Sequence, residues 1–365
     1  MGKSRFRMAL LGAPALIVLL LLSACGSTPG GPTTTAPKFQ VGLVTDIGQI
    51  NDRGFNQLAH DGYERAEAKY HFKDSVIQTQ SQNDYIKNLT TAAQTNDLVV
   101  GVGFLMAQAI DQVAKTFPNK KFALVDSCAA VDANGTCDTN IKNVVPLLFK
   151  EQQPGCLVGV VAGQMELDGP SAAPKLLGAS TIGAVGGIPV PAVERYIAGY
   201  KYCATQVNPN VKVIVSYSNN FTDPSKCADP ADAMIKQKKA DIIFQVAGNC
   251  GIGALNAADT DGVYGIGVDS DQGYLHPASI ITSAQKRVDV AVETIINQTE
   301  EDQYPSDPLS YNQFDLSNNG VIASPLSSAV PSNVQPVVDQ YVQKIKDGSI
   351  TIPTSCAPAA SCASS

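Results

Sequence analysis

Asp46-Ile47-Gly48-Gln49-Ile50-Asn51-Asp52-Arg53-Gly54-Phe55-Asn56-Gln57 is the stretch of this sequence richest in groups that can handle a small polar molecule. Asp46, Asn51 and Asp52 can accept or donate hydrogen bonds, and Phe55 offers a flat apolar face. Residues of the same kinds recur downstream: Asp126, Phe221 in Asn219-Asn220-Phe221-Thr222-Asp223, Gly248 in Ala247-Gly248-Asn249-Cys250-Gly251, Asp269 and Lys286. Carboxylates and an ammonium form charge-assisted hydrogen bonds, the stronger kind, to hydroxyls and ring edges. Each residue also has a plainer role open to it. Asn51 or Asp52 can cap a helix with Phe55 packed as core, Phe221 can be core, Asp223 a cap and Gly248 a turn. Bond-breaking chemistry finds little support. No Gly-x-Ser-x-Gly elbow, Walker loop, His-Glu-x-x-His or Gly-x-Gly-x-x-Gly after a first strand occurs in the sequence. Asp269 and Asp271, one residue apart, suit binding or capping better than acid–base work.

Strands and helices must position these groups. The apolar run Phe39 to Thr45 precedes Asp46, and a helical pattern (Leu58, Ala59, Tyr63, Ala66, Ala68) follows Phe55. The polar loop therefore falls just past the carboxyl end of a strand, where open α/β sheets bind ligands. Strands are predicted at 39–45, 75–79, 97–102, 121–126, 143–149, 179–185, 211–216, 241–246, 263–268 and 279–283. Helices are predicted at 55–70, 84–95, 106–117, 152–166, 190–206, 229–239, 252–259, 285–298 and 333–347. Continuous apolar strands such as Asp241-Ile242-Ile243-Phe244-Gln245-Val246 suit mostly parallel sheets with helices on both faces.

An α/β chain with two such sheets in series resembles the two-lobed type I periplasmic-binding fold. That fold implies three crossings between lobes, placed near Phe149–Glu151, Ser283–Lys286 and Leu316–Asn319. The first lobe is then 39–149 plus 284–316, the second 150–283 plus 317–353, and 354–365 is a small, polar, frayed tail. Asp46, Asn51, Phe55 and Asp126 face the cleft from one lobe, Phe221, Gly248 and Asp269 from the other, with Lys286 at the hinge. One aromatic from each lobe suits a nucleobase held between them.

Asp-x-Gly-x-Ile-Asn-Asp-x-x-Phe-Asn-Gln also resembles the opening motif of the basic membrane protein family, lipoprotein substrate-binding components of ABC transporters. The likeness continues through Asn96 to Phe104, Phe122 to Asp126, Gly265 to Gln272 and Thr282 to Asp289, and spans roughly residues 40 to 350. Characterised members bind purine nucleosides. The resemblance implies stacking at Phe55 and Phe221, polar contacts from Asp126, Asp269 and Lys286, and an ABC permease as partner. This chain departs from the family at Asn249-Cys250, where Gly-Thr is usual, and at Cys156 and Cys227, where Tyr and Gly are commoner. A sugar or autoinducer, or a ligand-sensing receptor role, is the alternative on the same fold.

The N-terminus reads as a leader. Lys3, Arg5 and Arg7 precede the apolar run Met8 to Leu22, and Leu22-Ser23-Ala24-Cys25 resembles a bacterial lipobox with Cys25 lipidated after cleavage of 1–24. Residues 25–38, rich in Gly, Pro, Thr and Ser, form a flexible tether, placing a monomeric body outside the cytoplasm at the cell membrane. Losing the leader takes the formal charge from −7 to −10. With no basic footprint, nucleic acid is not an expected partner. The three histidines are scattered and no Cys-x-x-Cys occurs, so neither metal nor cofactor is expected. Beyond Cys25 the cysteine count is even, which in an exported chain suggests disulfides. Local spacing favours Cys128–Cys137, Cys203–Cys227 and Cys356–Cys362, leaving Cys156 and Cys250 to pair.

Overall fold

The computed structural model describes residues 39–356 and Cys362. The first sheet holds β1 (Val41–Ile47), β2 (Val76–Thr79), β3 (Leu98–Val102), β4 (Lys121–Val125) and β5 (Val144–Leu147), all parallel, in the order β2-β1-β3-β4-β5. The second holds β6 (Thr181–Gly186), β7 (Lys212–Tyr217), β8 (Ile242–Val246), β9 (Tyr264–Asp269), β10 (Ile280–Lys286) and β11 (Val321–Ala323). Its order, β11-β10-β9-β8-β6-β7, repeats the first sheet's pattern, with β11 added antiparallel along β10. Every strand of the central runs is buried and apolar, as sheets covered on both faces require.

Helices α1 (Phe55–Tyr70), α2 (Tyr85–Thr95) and α3 (Ala107–Thr116) cover the first sheet, joined by α8 (Val288–Glu300). Arg65 on α1 ties α8 down through Asp289 at 3.1 Å and Glu293 at 2.7 Å. Around the second sheet lie α4 (Gln152–Asp168), α5 (Pro191–Val207), α6 (Pro224–Lys238), α7 (Gly248–Thr260) and α9 (Val334–Lys346). The two lobes are thus each a mostly parallel sheet between helices.

α4 and α5 approach unusually closely. Gly155, Gly159 and Gly163 recur every fourth residue along α4, and a Cβ at Gly159 would lie 2.3 Å from the Tyr200 carbonyl oxygen on α5. Only a bare backbone fits there. Cys156 on α4 and Cys203 on α5 then meet as a disulfide.

The strand and helix patterns reappear with shifted ends. β10 runs to Lys286, not 283, because Gln285 and Lys286 continue to pair with β9 and β11. α6 starts at Pro224, where Asp223 caps it by accepting from the Ser225 N–H at 2.9 Å; Pro230 sits inside the helix instead of breaking it. Three-residue β11 lay below what a period-two pattern can signal.

The disulfides partly correct the expectation. Cys128–Cys137 and Cys356–Cys362 form, but the remaining pairs are Cys156–Cys203 and Cys227–Cys250. Cys203 lies in the core under α4 and α5, whereas Cys227 lies under α6 and α7 on the opposite face of the sheet. Nearness in sequence misled. The tail is not wholly frayed either: Cys362 is buried, and its backbone N–H donates to Glu194 at 3.0 Å.

Three segments pass side by side between the sheets. Residues 148–151 leave β5, residues 286–288 leave β10, and residues 314–320 return. Phe149 stacks on Phe314 at 5.0 Å, Lys150 pairs with Asp315 at 2.8 Å, and the Arg287 N–H donates to the Gly320 carbonyl at 2.9 Å.

Candidate functional site

A cavity between the sheets collects residues from the carboxyl ends of strands on both sides. Asp46, Phe55 and Asp126 line it from the first lobe; Phe221, Gly248 and Asp269 line it from the second, and Lys286 closes the hinge side. Asn51 does not: it is exposed and outside the cavity, while its neighbours Asp52 and Asn56 line it.

The turn chemistry explains the exchange. Asp52 accepts from the backbone N–H groups of Gly54 (3.0 Å), Asn56 (2.9 Å) and Gln57 (3.1 Å), so its carboxylate satisfies donors at the start of α1. The Asp46 N–H in turn donates to the Asn56 side chain at 3.0 Å. The helix start, capped from within, pushes Phe55 into the cavity and Asn51 out to solvent.

Charges concentrate behind the aromatics. Lys286 is 2% exposed, yet its ammonium donates to both Asp126 oxygens at 2.9 and 2.7 Å and lies 3.7 Å from Glu151. It also sits 4.7 Å from the Phe55 ring centre and 5.8 Å from that of Tyr196. Burial works against its charge, but Asp126, Asp269 and Glu151 together outweigh burial and hold its pKa above the usual lysine value. Glu151 is fully buried, with one oxygen lacking a hydrogen bond and the other 3.2 Å from Arg195. Burial pushes it up to about 7. Arg287, beside Lys286 in sequence, pairs with Asp289 instead.

The carboxylates facing the cavity are not equally free. Asp46 is half used: one oxygen accepts from the Tyr85 hydroxyl and from the Ile47 N–H at 2.7 Å, and burial raises its pKa to about 7. Asp126 is spent on Lys286. Asp269 has one weak hydrogen bond, from the Tyr196 hydroxyl at 3.4 Å, and burial raises it to about 6 against the pull of Lys286. Asp269, beside Lys286, and the second oxygen of Asp46 are therefore the acceptors with capacity to spare. Asp126 and Asp269 both end strands at positive φ (69° and 62°), a backbone state Asp tolerates better than most residues and one frequent at functional sites.

The cleft is latched across its rim. The Arg53 carbonyl, from the first lobe, accepts from Ser270 Oγ at 2.7 Å and Gln272 Nε2 at 3.2 Å. Gln272 is buried and its amide oxygen accepts from Gln245 at 2.7 Å and the Val268 N–H at 3.1 Å. Sequence reasoning missed Tyr196, Glu151 and Gln272. Tyr196 carried no distinguishing signal, being one of two tyrosines a helical turn apart on α5. On the outer face of α1, His60, Asp61 and Glu64 bring ligand atoms within 4.8 Å of one another, but nothing else there points to a metal.

Two mostly parallel-sheet lobes joined by three crossings, with a cavity between strand ends lined by apolar side chains and a few charged ones, define a solute-binding protein of the periplasmic type. The chain belongs to the PnrA-like substrate-binding proteins of ABC transporters, the basic membrane protein family, whose profile matches residues 39–355. It is 30% identical over 373 residues to the ABC transporter nucleoside-binding protein BmpA of Lactococcus lactis subsp. cremoris, covering 95% of this chain and 99% of that one. It is 31% identical to the CD4+ T-cell-stimulating antigen of Listeria monocytogenes, covering 92% and 94%. An uncharacterized lipoprotein of Pyrococcus furiosus is 31% identical over 80% of this chain and 72% of its own length. Among solved structures, a solute-binding protein of an ABC transporter system from Aeropyrum pernix K1 superposes with a TM-score of 0.77 at 26% identity, over 88% of this chain and 94% of that one. The family consists of binding components, not enzymes. No helix among the described residues is long and apolar enough to cross a membrane.

Proposed function

We propose that this protein is lipid-anchored through Cys25 outside the cytoplasm and captures a purine nucleoside for an ABC importer. One observation carries the reading: Phe55 and Phe221, from different lobes, line the same cavity as the Asp126–Lys286 pair and the under-used Asp269. Two aromatic faces suit a base, and a free carboxylate acceptor suits a ribose hydroxyl. The relative named as a nucleoside-binding protein supports the same reading.

Calorimetry with nucleosides, free bases and pentoses tests it. Nucleosides are expected to bind, and Phe55→Ala or Phe221→Ala each to weaken binding by about 1–3 kcal/mol, roughly 5- to 150-fold. Unchanged binding in both variants, with native circular dichroism, would remove the aromatic slot. A pentose binding more tightly than any nucleoside would favour a sugar carrier instead.

The lobes, taken as 39–149 plus 284–316 and 150–283 plus 317–353 with the second boundary moved past Lys286, are proposed to close around the ligand. A ligand touching both lobes shifts the balance toward the closed form by its preference for that form. Small-angle scattering is expected to give a smaller radius of gyration on saturation with nucleoside. An identical profile would leave binding intact but end the closure mechanism. Cys25 and the leader lie outside the described residues. For the anchor, Cys25→Ala is expected to move the protein from the membrane fraction to the soluble one, and retention at the membrane would refute lipidation there.

A further inference from the structure

The loop from Ser218 to Asp223, which carries Phe221, joins β7 to α6; Gly186 and Gly187 and its own Ser218 and Asn220 hold its start and turn, and α7 holds the stretch at Phe221 and Thr222. The Cys250 N–H donates to the Phe221 carbonyl at 3.0 Å, and the Asn249 side-chain amide donates to the Thr222 carbonyl at 2.8 Å. Cys250 is also bridged to Cys227, in the first turn of α6 just beyond the loop, and both cysteines are fully buried. The Phe221 ring itself lies flush against Gly187, where a Cβ would stand 2.2 Å from the ring. At Phe221 and Thr222 the loop backbone is thus gripped by two consecutive residues of α7, one of them covalently tied to the helix that the loop enters. Asn249 does not line the cavity.

We propose that the Cys227–Cys250 disulfide and Asn249 are positioning residues for Phe221, holding its ring against Gly187 before ligand arrives. A loop already ordered does not have to be ordered on binding, so the benefit appears as affinity for a ligand that uses the ring. The inference rests on the nucleoside reading of the cavity. A disulfide that only stabilised the fold would raise the melting temperature and leave ring-dependent affinity alone.

A double-mutant cycle separates the two. Adenosine and guanosine binding would be measured by calorimetry in the full chain, in Cys227→Ala/Cys250→Ala and in Asn249→Ala, each with Phe221 and with Phe221→Ala. With Phe221 present, each change is expected to weaken binding roughly 2- to 12-fold, as for one side chain released to be ordered again. In the Phe221→Ala background the same changes are expected to cost under about twofold. Equal losses in both backgrounds, or no loss in either, would overturn the proposal. Should the cysteine variant not fold, Asn249→Ala decides alone. If the unaltered protein binds neither nucleoside, the cavity reading falls and takes this inference with it. If Phe221→Ala weakens binding but the α7 changes do not, only the positioning role is lost.

Discussion

Lys286→Ala is expected to destabilise the protein by about 3–5 kcal/mol near neutral pH, the scale for removing one partner from a buried ion pair. Asp126 would lose the ammonium holding both its oxygens, and Glu151 and Asp269 would lose an opposing charge that lowers their pKa values. The loss should depend on pH in a definite direction. Burial already raises Asp269 to about 6 and Glu151 to about 7, above their ordinary 3.8 and 4.5. A carboxyl whose pKa is higher folded than unfolded favours folding while protonated, and its stability is lost as pH rises from the unfolded value through the folded one. Without Lys286 these folded values move higher still. The variant should therefore be markedly closer to the parent at about pH 5 than at about pH 8. Urea denaturation at both pH values checks this. An equal deficit at the two, or a deficit below about 1 kcal/mol at the higher, would mean that the carboxylates do not depend on Lys286.

Asp269→Ala is expected to weaken nucleoside binding roughly 10- to 150-fold while changing free-base binding little, because hydrogen bonds to a charged acceptor contribute about 1.5–3 kcal/mol. The assignment follows from commitments elsewhere and from charge: Asp52 is held by the start of α1 and Asp126 by Lys286, while Asp46 already accepts from Tyr85 and Ile47 and, unlike Asp269, has no ammonium beside it to favour its charged form. A ribose hydroxyl donates to the ionised Asp269 carboxylate more strongly than to the protonated acid. With the free-site pKa near 6, affinity should be level above about pH 7 and fall by at most tenfold per unit as pH drops below about 6. Calorimetry across that range, in parent and variant, measures both effects. Equal losses for nucleoside and base, or a parent affinity that does not fall below pH 6, would move the ribose elsewhere.

Much of this cavity was legible because its residues sit at the ends of mainly apolar strands: Asp46 near the end of β1, Asp126 after β4, Gly248 after β8, Asp269 on β9 and Lys286 on β10. A strand's end can be read from where its apolar run stops. Which of two adjacent polar residues turns inward cannot, and so Asn51 was chosen where Asp52 belongs. That choice depends on the hydrogen bonds Asp52 makes around Gly54, which exist only once α1 has formed. Glu151 was passed over for a related reason. Its burial arises where the first crossing segment meets Lys286 and Arg195, residues distant in sequence. The cysteine pairing held for Cys128–Cys137 and Cys356–Cys362 and failed for the other four cysteines because the two faces of the second sheet, which separate Cys203 from Cys227, leave no mark in local spacing.

The close seating of α4 on α5 gives the second lobe a stiff arm. α4 begins at Gln152, directly after the crossing at 148–151, and its 17 residues span about 25 Å. Glycines seat the two helices backbone to backbone and a disulfide pins them, so they move as one body. Both ends of the machinery ride on it: α5 brings Val190, Val193 and Tyr196 to the cavity, while α4 ends beside Leu167, exposed on the outer surface. If the lobes close as proposed, rotating such an arm by roughly 10° about its root would carry its tip about 4 Å, so a label on the outer surface near Leu167 would report closure at the ligand as a magnified displacement.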